Sequence, residues 1–311
     1  MKTRIYTHPC FLKHETGPGH PERPARLQVL LDLFKEEPFK DIPVITAREA
    51  ERTEILLAHQ EKYFDALEEA IPDDGLAAAG PDTVLSPGSW KAALRAAGAV
   101  CEAVDDVMTG KCGRAFCAVR PPGHHAFPGH PEGFCLFNNI FIGALHAQTH
   151  HGVKRVAIVD FDVHHGNGSD FMARQHQGIF YGSTHQWPLY PGTGLIEDNI
   201  AGRIINIPLA AGDGSQAFRK AWSEIILPEL DSFKPGLLMI SAGFDAHRDD
   251  PLAQINLDEN DFRWITGELV KIAGRHCDGK IVSVLEGGYN LDALKASTAA
   301  HLSALAGIPA G

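Results

Sequence analysis

The chain has 311 residues, of which 44% are hydrophobic and 22% charged, and its formal net charge is −11. This mixture is typical of a globular domain, and it argues against a nucleic-acid-binding protein or a membrane protein, since no basic block and no long apolar run is present. The start "MKTRIYTHPC" lacks the apolar core of a secretion signal, and the six cysteines are scattered without a CxxC pair, so we expect a reduced, cytoplasmic protein.

Short apolar runs alternate with longer helical patterns along the chain. The predicted strands span residues 4–8, 115–119, 155–161, 178–184, 203–209, 237–243 and 281–287. The predicted helices lie near residues 22–36, 61–70, 89–110, 136–150, 215–232, 258–277 and 291–306. Such alternation favours an α/β fold with a central, mostly parallel sheet and helices on both faces. We find no repeat and no linker, so residues 1–311 are predicted to form a single domain.

Polar side chains follow four of the predicted strands. The run "AFCAV" leads into "RPPGHH", "VAIV" into "DFDVHHGNG", "LLMISAG" into "FDAHRDDP" and "IVSVLEGG" into "YN". The chain has 17 histidines, and they are clustered. Because ligands of open parallel sheets bind beyond the carboxyl ends of the strands, we expect these segments to assemble one site.

The segment "DFDVHHGNG" offers metal ligands directly after a buried strand. Asp162 and His164 are two residues apart, so in extended backbone they project to one face and can bind one ion, whereas Asp160 and His165 are placed differently. Taken alone, the pair is explained equally well by a capping aspartate and a solvated histidine. Asp245 allows the same ordinary explanation, since an aspartate after a strand is commonly a turn or N-cap residue.

Three further side chains also allow ordinary explanations when each is taken alone. His124 and His125 could be structural histidines bonded to backbone, and Tyr289 could be a core aromatic residue. Taken together, two aspartates and one histidine make a three-ligand site with open positions for water and substrate. The histidine pair and the tyrosine are the other parts of a metal-assisted hydrolase, which is the function that the set indicates.

The quoted motifs resemble those of a known family. The segments "RPPGHHA", "GFCLFNN", "DFDVHHGNG", "STHQWPLYPGTG", "AGFDAHRDDPL" and "EGGYNL" resemble the histone deacetylase series in order and spacing. The loop "GPGHPERPAR" resembles class II and bacterial amidohydrolase members of that family. The resemblance covers residues 6–292, and it implies a single arginase/deacetylase catalytic domain, a zinc ion and hydrolysis of an N-acyl amine.

The resemblance also implies roles for individual residues. The positions that match the zinc ligands are Asp162, His164 and Asp245. Those that match the catalytic group are His124 with its partner Asp160, His125 with its partner Asn167, and Tyr289. The matching positions of the acyl tunnel are Gly133, Phe134 and Tyr190, with Leu252 at the mouth. A potassium ion, bound mainly by backbone carbonyls, would lie among Asp160, Asp162, His164, Ser183 and Thr184.

The implied mechanism is attack of a metal-activated water on the amide. His125 would take the proton of that water, and it would stay neutral because the carbonyl of Asn167 brings no negative charge. His124 would help to protonate the leaving amine, and Tyr289 would donate to the oxyanion. Since two aspartates and one histidine are an oxygen-rich set, Fe²⁺ could take the place of zinc.

The aromatic tunnel suits a linear substrate such as an N6-acetyl-lysine. Leu252 stands where polyamine-selective relatives carry a glutamate, and an apolar residue cannot pair with a polyamine cation. We therefore expect an acylated lysine, or a small acylated amine, as the partner, with no nucleic acid or membrane. Three alternatives remain: an acetylpolyamine or other small-molecule amidohydrolase, a binuclear arginase-like hydrolase, and a non-catalytic binder of acyl-lysine, although a binder needs no Tyr289.

Overall fold

The computed structural model describes residues 2–309, and its centre is an eight-stranded sheet. In the described residues the strands are β1 (Thr3–Thr7), β2 (Val44–Thr46), β3 (Ala77–Ala78), β4 (Val84–Leu85), β5 (Arg114–Cys117), β6 (Val156–Asp160), β7 (Ile179–Gln186), β8 (Ile204–Leu209), β9 (Leu237–Ala242) and β10 (Ile281–Leu285). The large sheet has the order β2-β1-β5-β10-β9-β6-β7-β8, and all its neighbouring strands are parallel. Strands β3 and β4 form a separate antiparallel pair.

Helices connect and cover the strands. They are α1 (Ala25–Leu33), α2 (Arg52–Ile55), α3 (Glu61–Glu69), α4 (Ser89–Met108), α5 (Asn139–His151), α6 (Asn167–Gln175), α7 (Ser215–Ala221), α8 (Leu227–Phe233), α9 (Glu259–His276) and α10 (Leu291–Ala306). A π-helical segment, Trp222–Ile226, joins α7 to α8, so the predicted helix 215–232 is one nearly continuous element with a wider turn inside it.

The helices lie on both faces of the sheet, as the alternation of side chains along β5 shows. Cys117 faces α4, with its thiol 3.6 Å from the carbonyl oxygen of Ala99. The preceding residue, Phe116, faces α10, where its ring centroid lies 5.6 Å from that of His301. Because successive residues of a strand point to opposite faces, α4 and α10 cover different sides. The predicted fold class is therefore confirmed.

The central strands are buried along their whole length because both faces of the sheet are covered. Every residue of β6, β7, β9 and β10 is buried, which is the pattern of a parallel sheet between two helical layers. All six cysteines are free and buried, where a cysteine packs like a small apolar residue. Within residues 2–309, no helix combines the length and the hydropathy that crossing a bilayer requires.

The sequence did not predict five of these elements, namely β2, β3, β4, α2 and α6. Strand β2 adds three residues to the edge of the sheet beside β1, and the pair β3–β4 has two residues in each strand. Helix α2 is a single turn, and α6 begins at Asn167 directly behind the polar segment "DFDVHHGNG". Strands of two or three residues and a helix of a single turn bury too few apolar side chains to show a periodic pattern, so their formation depends on tertiary contacts.

Candidate active site

Four strand ends meet at the middle of the sheet. Strands β5, β10, β9 and β6 are consecutive neighbours in the strand order, and each is followed by polar residues. The segments that follow them carry the two histidines after β5, Asp162 and His164 after β6, Asp245 after β9, and Tyr289 after β10. The parallel arrangement places all four carboxyl ends on one edge, so residues that are more than 160 positions apart in the chain become neighbours.

The three predicted zinc ligands form a compact cluster. Donor atoms of Asp162, His164 and Asp245 lie within 4.8 Å of one another. The Nδ1 atom of His164 is 3.1 Å from Oδ1 of Asp162 and 3.1 Å from Oδ2 of Asp245. Both carboxylates are fully buried, so a cation between these atoms would offset a large desolvation penalty.

The electrostatics of this cluster also fit a bound cation. Burial and the neighbouring carboxylate of Asp162 raise the pKa of Asp245 to about 7. A second observation comes from Gly287, where a Cβ atom would collide with the carboxylate oxygens of both aspartates. The backbone N–H of Gly287 donates instead to Oδ2 of Asp162 at 2.8 Å. The loop after β10 therefore leaves space for the two carboxylates and orients one of them, and the residues present fit a zinc-type ion.

His124 is held against Asp160 beneath the cluster. Its Nδ1 lies 3.0 Å from Oδ2 of Asp160, and that carboxylate also accepts from the hydroxyl of Tyr181 and the N–H of Asp162. Burial alone would lower the pKa of His124, but the carboxylates of Asp162 and Asp160 outweigh it and raise that pKa to about 10. The protonated form of His124 is thus stabilised by its two carboxylate neighbours. With its oxygens engaged in this way, Asp160 is a poor ligand for a second metal, which argues against a binuclear centre.

His125 has a neutral partner. Its Nδ1 lies 2.8 Å from Oδ1 of Asn167, the first residue of α6. Burial, together with the neighbouring His124 and His164, lowers the pKa of His125 well below its usual range. The pKa values of the two adjacent histidines are therefore shifted in opposite directions, because one histidine faces a carboxylate and the other an amide.

A cavity of about 230 Å³ opens onto the three candidate metal ligands. It is lined by Asp82, His125, Gly133, Phe134, His164, Leu189, Tyr190, Leu252 and Tyr289. All four predicted tunnel residues are in this set. The ring of Tyr190 stands edge-on to His125 at 5.2 Å between centroids, and Phe134 stands edge-on to Tyr289 at 6.1 Å.

The wall formed by Gly133 and Phe134 needs an unusual backbone. Both residues have positive φ angles, 56° and 67°. A Cβ at Gly133 would collide with the imidazole of His125, so only glycine leaves that ring in place. On the other side of the cavity, Asp250 accepts from the backbone N–H of Tyr289 at 2.7 Å and from that of Leu252 at 3.0 Å. One carboxylate thereby fixes two lining residues.

Comparison with known families agrees with this geometry. A family model described as the histone deacetylase domain matches residues 20–305, which is most of the chain. The chain belongs to the histone deacetylase family. Membership makes it a hydrolase of the deacetylase or amidohydrolase type.

Individual members of the histone deacetylase family resemble the chain over most of its length. It is 38% identical to "Histone deacetylase 10, chloroplastic" of Oryza sativa, with 94% of this chain and 70% of that protein covered. It is 36% identical to "Histone deacetylase-like amidohydrolase" of Pseudomonas aeruginosa, with 88% and 73% covered. The crystal structure of the HDA15 HD domain superimposes with a TM-score of 0.93 at 33% identity, covering 100% of this chain and 90% of that one.

In this histone deacetylase family member, sequence reasoning missed several residues around the site. Glu286, directly after β10, accepts from the backbone N–H groups of Gly123 and His124 at 2.7 and 3.2 Å. Its place in "LEGGYN", next to the predicted Tyr289, is the signal that could have found it. Asp82 lines the cavity from the loop between β3 and β4, far from any recognised motif.

The predicted potassium residues lie at the end of β6, in the segment after it, and within the neighbouring strand β7. Asp160 pairs with Ser183 in the register of β6 and β7, and Thr184 follows on β7. The hydroxyl of Thr184 accepts from the indole N–H of Trp222 at 3.0 Å. Asp160 and Ser183 are therefore neighbours across the two strands, and both hydroxyl-bearing residues are buried.

Proposed function

We propose that the chain is a zinc-dependent amidohydrolase that removes an acetyl or similar acyl group from an N6-acyl-lysine-type substrate, acting as one catalytic domain over residues 1–311. The observation that carries the proposal is that one cavity is lined by a metal-cluster histidine, a neutral histidine and a tyrosine, namely His164, His125 and Tyr289. A linear acyl chain fits a cavity of about 230 Å³ with two aromatic walls.

The ligands of the metal would be Asp162, His164 and Asp245. The chemistry that zinc supplies in such a site is polarisation of the amide carbonyl and acidification of the attacking water. Fe²⁺ suits the same oxygen-rich donors. We also propose a potassium ion among Asp160, Asp162, His164, Ser183 and Thr184; support for it comes from the burial of negative charge beside β7.

The remaining steps are proton transfers by residues of this chain. His125, uncharged at neutral pH, would take a proton from the water at Nε2, while Nδ1–H donates to Asn167. His124, kept protonated by Asp160 and Asp162, would stabilise the developing negative charge and help to protonate the leaving amine. Tyr289 would donate its hydroxyl to the oxyanion.

A specific observation favours a second candidate, an acetylpolyamine or other small-molecule amidohydrolase. Asp82 places a carboxylate at the cavity, where it could pair with a ligand cation even though Leu252 cannot. The name of the Pseudomonas relative also contains "amidohydrolase". We retain acyl-lysine as the main proposal because Leu252, Phe134 and Tyr190 present apolar surface to the substrate. The net charge of −11 supports a function without nucleic acid, and we propose a cytoplasmic location.

The test is turnover of a fluorogenic acetyl-lysine peptide by the purified protein, before and after removal of metal with a chelator. We expect activity to vanish on chelation and to return with Zn²⁺. Asp245→Ala should lose bound metal and activity together, whereas Asp73→Ala, a change at an exposed aspartate, should lose neither. An Asp245→Ala variant that keeps full turnover without metal would refute the proposed site.

A further inference from the structure

Glu132 lies outside the site described so far but contacts two of its residues. It is in the loop between β5 and α5, and its side chain is 27% exposed. Its Oε1 accepts a hydrogen bond from the side-chain amide of Asn167 at 2.7 Å and one from the hydroxyl of Tyr190 at 3.3 Å. Its other carboxylate oxygen is 3.4 Å from Nε2 of His130. The carboxylate thus stands directly behind the amide that partners His125.

The orientation of the Asn167 amide decides which proton His125 carries. An amide can present either its oxygen or its NH₂ group, whereas a carboxylate accepts only. With Glu132 behind it, the amide must direct NH₂ outward and its oxygen toward Nδ1 of His125, which is the observed contact at 2.8 Å. The backbone N–H of Gly168 donates to the same oxygen at 3.1 Å and favours the same orientation.

The opposite orientation would disable the base. If the NH₂ group faced His125, Nδ1 would have to accept, and the neutral ring would carry its proton on Nε2. A ring protonated at Nε2 cannot take a proton from water in the cavity. An aspartate in place of Asn167 would have no such requirement, because both of its oxygens accept.

We propose that Glu132 is a positioning residue, which acts through the Asn167 amide to hold His125 in the Nδ1–H tautomer and leave Nε2 free to accept a proton. This inference rests on the proposed function of His125 as the base. Because Glu132 also bonds Tyr190 of the cavity wall, its loss affects two contacts, and the two must be separated experimentally.

The first experiment compares three single variants of the zinc-loaded protein by steady-state kinetics. Glu132→Ala should lower kcat about tenfold, a usual effect of removing a partner that orients a functional side chain, with unchanged zinc content. Glu132→Gln keeps an acceptor oxygen and should recover most of kcat. His130→Gln removes the other contact of the carboxylate and should leave kcat within about threefold. A wild-type kcat in Glu132→Ala would overturn the proposal.

A double-mutant cycle separates the two contacts of Glu132. In an Asn167→Asp background there is no amide to orient, and Glu132 would instead face a second carboxylate. Adding Glu132→Ala there should leave kcat unchanged or raise it. Should Glu132→Ala lower kcat by the same factor in both backgrounds, the effect runs through Tyr190 or general packing and the proposal is wrong.

A spectroscopic measurement tests the positioning role of Glu132 independently of the proposed function. In zinc-loaded protein with ¹⁵N-labelled histidine, the ring nitrogens of His125 should report the Nδ1–H tautomer in the wild type and a mixture in Glu132→Ala. This readout needs no turnover, so it applies even if no acyl amide is hydrolysed. An unchanged tautomer in Glu132→Ala would contradict the positioning role, whatever the substrate is.

Discussion

Tyr289 is buried at the cavity with the guanidinium of Arg26 4.9 Å from its ring centroid. Burial raises the pKa of its phenol well above the usual 10, so the hydroxyl remains a donor at neutral pH. We expect Tyr289→Phe to keep zinc and fold but to lose roughly 10²–10³ in kcat, the usual effect of removing one oxyanion donor. Steady-state kinetics with a metal assay measures this effect.

The control is a second buried tyrosine. Tyr6, on strand β1, donates to Asp106 of α4 at 2.8 Å and does not line the cavity, so Tyr6→Phe should lower the melting temperature and leave kcat unchanged. An unchanged kcat in Tyr289→Phe would show that Tyr289 only lines the cavity and does not stabilise the oxyanion.

Leu252 decides between the two proposed substrate classes. It lines the cavity and is held by Asp250, so a carboxylate introduced there would meet a cationic substrate. We expect the wild type to prefer an acetyl-lysine peptide over N8-acetylspermidine in kcat/KM, and Leu252→Glu to move that ratio toward the polyamine by about tenfold or more. Leu76→Glu, at a half-exposed leucine outside the cavity, should not move it. A wild-type preference for the polyamine would contradict the acyl-lysine proposal.

For individual residues, local spacing predicted side chains that act together within one segment. It could not predict side chains that meet through contacts between different loops. Asp162 and His164 share a face because they are two apart on extended backbone, and the motif resemblance supplied Asp245 and Tyr289. Glu132 could not be predicted, because it reaches Asn167 across 35 positions of the chain. A carboxylate in a polar loop has no sequence signal that distinguishes a hydrogen-bonded group from a solvated one.

The loop after β10 contacts the candidate metal ligands through its backbone at Gly287, which has no side chain. A Cβ at Gly287 would collide with Asp245 and Asp162, and neither buried carboxylate has room to move away. We therefore expect Gly287→Ala to weaken zinc binding by at least tenfold and to lower the melting temperature. Metal titration with a chromophoric competitor measures the affinity.

A matched glycine serves as the control. Gly267, within α9, has no atom within 4 Å of a built Cβ, so Gly267→Ala should stabilise the helix by up to about 1 kcal/mol without changing zinc affinity. Equal zinc affinity in Gly287→Ala and the wild type would show that the two carboxylates are less constrained than their contacts indicate.

The elements themselves were largely predictable. The seven predicted strands and seven predicted helices are all present, because each is long enough to show its apolar pattern. Helix α6 was missed because its first residues, Asn167 and Gly168, are typical of loops and because few of its nine residues are apolar. Its start is fixed instead by the bond between Asn167 and His125, which belongs to the site.

Across the whole molecule, a buried ionic cluster ties the N-terminal loop to the central strands. Glu22, completely buried, pairs with Arg120 after β5 at 2.6 Å and with Arg26 of α1 at 3.2 Å. Arg26 in turn donates to the backbone oxygens of Glu286 and Gly288, each at 2.6 Å. Burial opposes ionisation, but Arg120 outweighs it and lowers the pKa of Glu22 to about 2.

The pKa of Glu22 is lower in the folded state than in the unfolded chain. Its contribution to the free energy of unfolding is therefore complete above about pH 4.5 and is lost as the pH falls toward 2. Glu22→Gln should lower the free energy of unfolding by about 3 kcal/mol at pH 7, since it leaves two buried arginines poorly paired. The difference from wild type should shrink below pH 4. Denaturant unfolding at several pH values measures it, with Glu36→Gln, in an exposed pair with Lys295, as a near-neutral control. A pH-independent difference would show that Glu22 is not ionised in the folded protein.

The position of β10 also determines the order in which the molecule can be assembled. It is the last strand in sequence order within residues 2–309, yet it lies between β5 and β9. Until residues 281–285 are in place, β5 and β9 each present an unpaired edge, which is a surface prone to aggregation during synthesis. The direct pairing of β6 with β9 is independent of β10, so the three proposed metal ligands can come together first. An ion bound by the proposed ligands would cross-link these two strands before β10 is in place, so we expect the yield of native protein to rise when metal is available during folding.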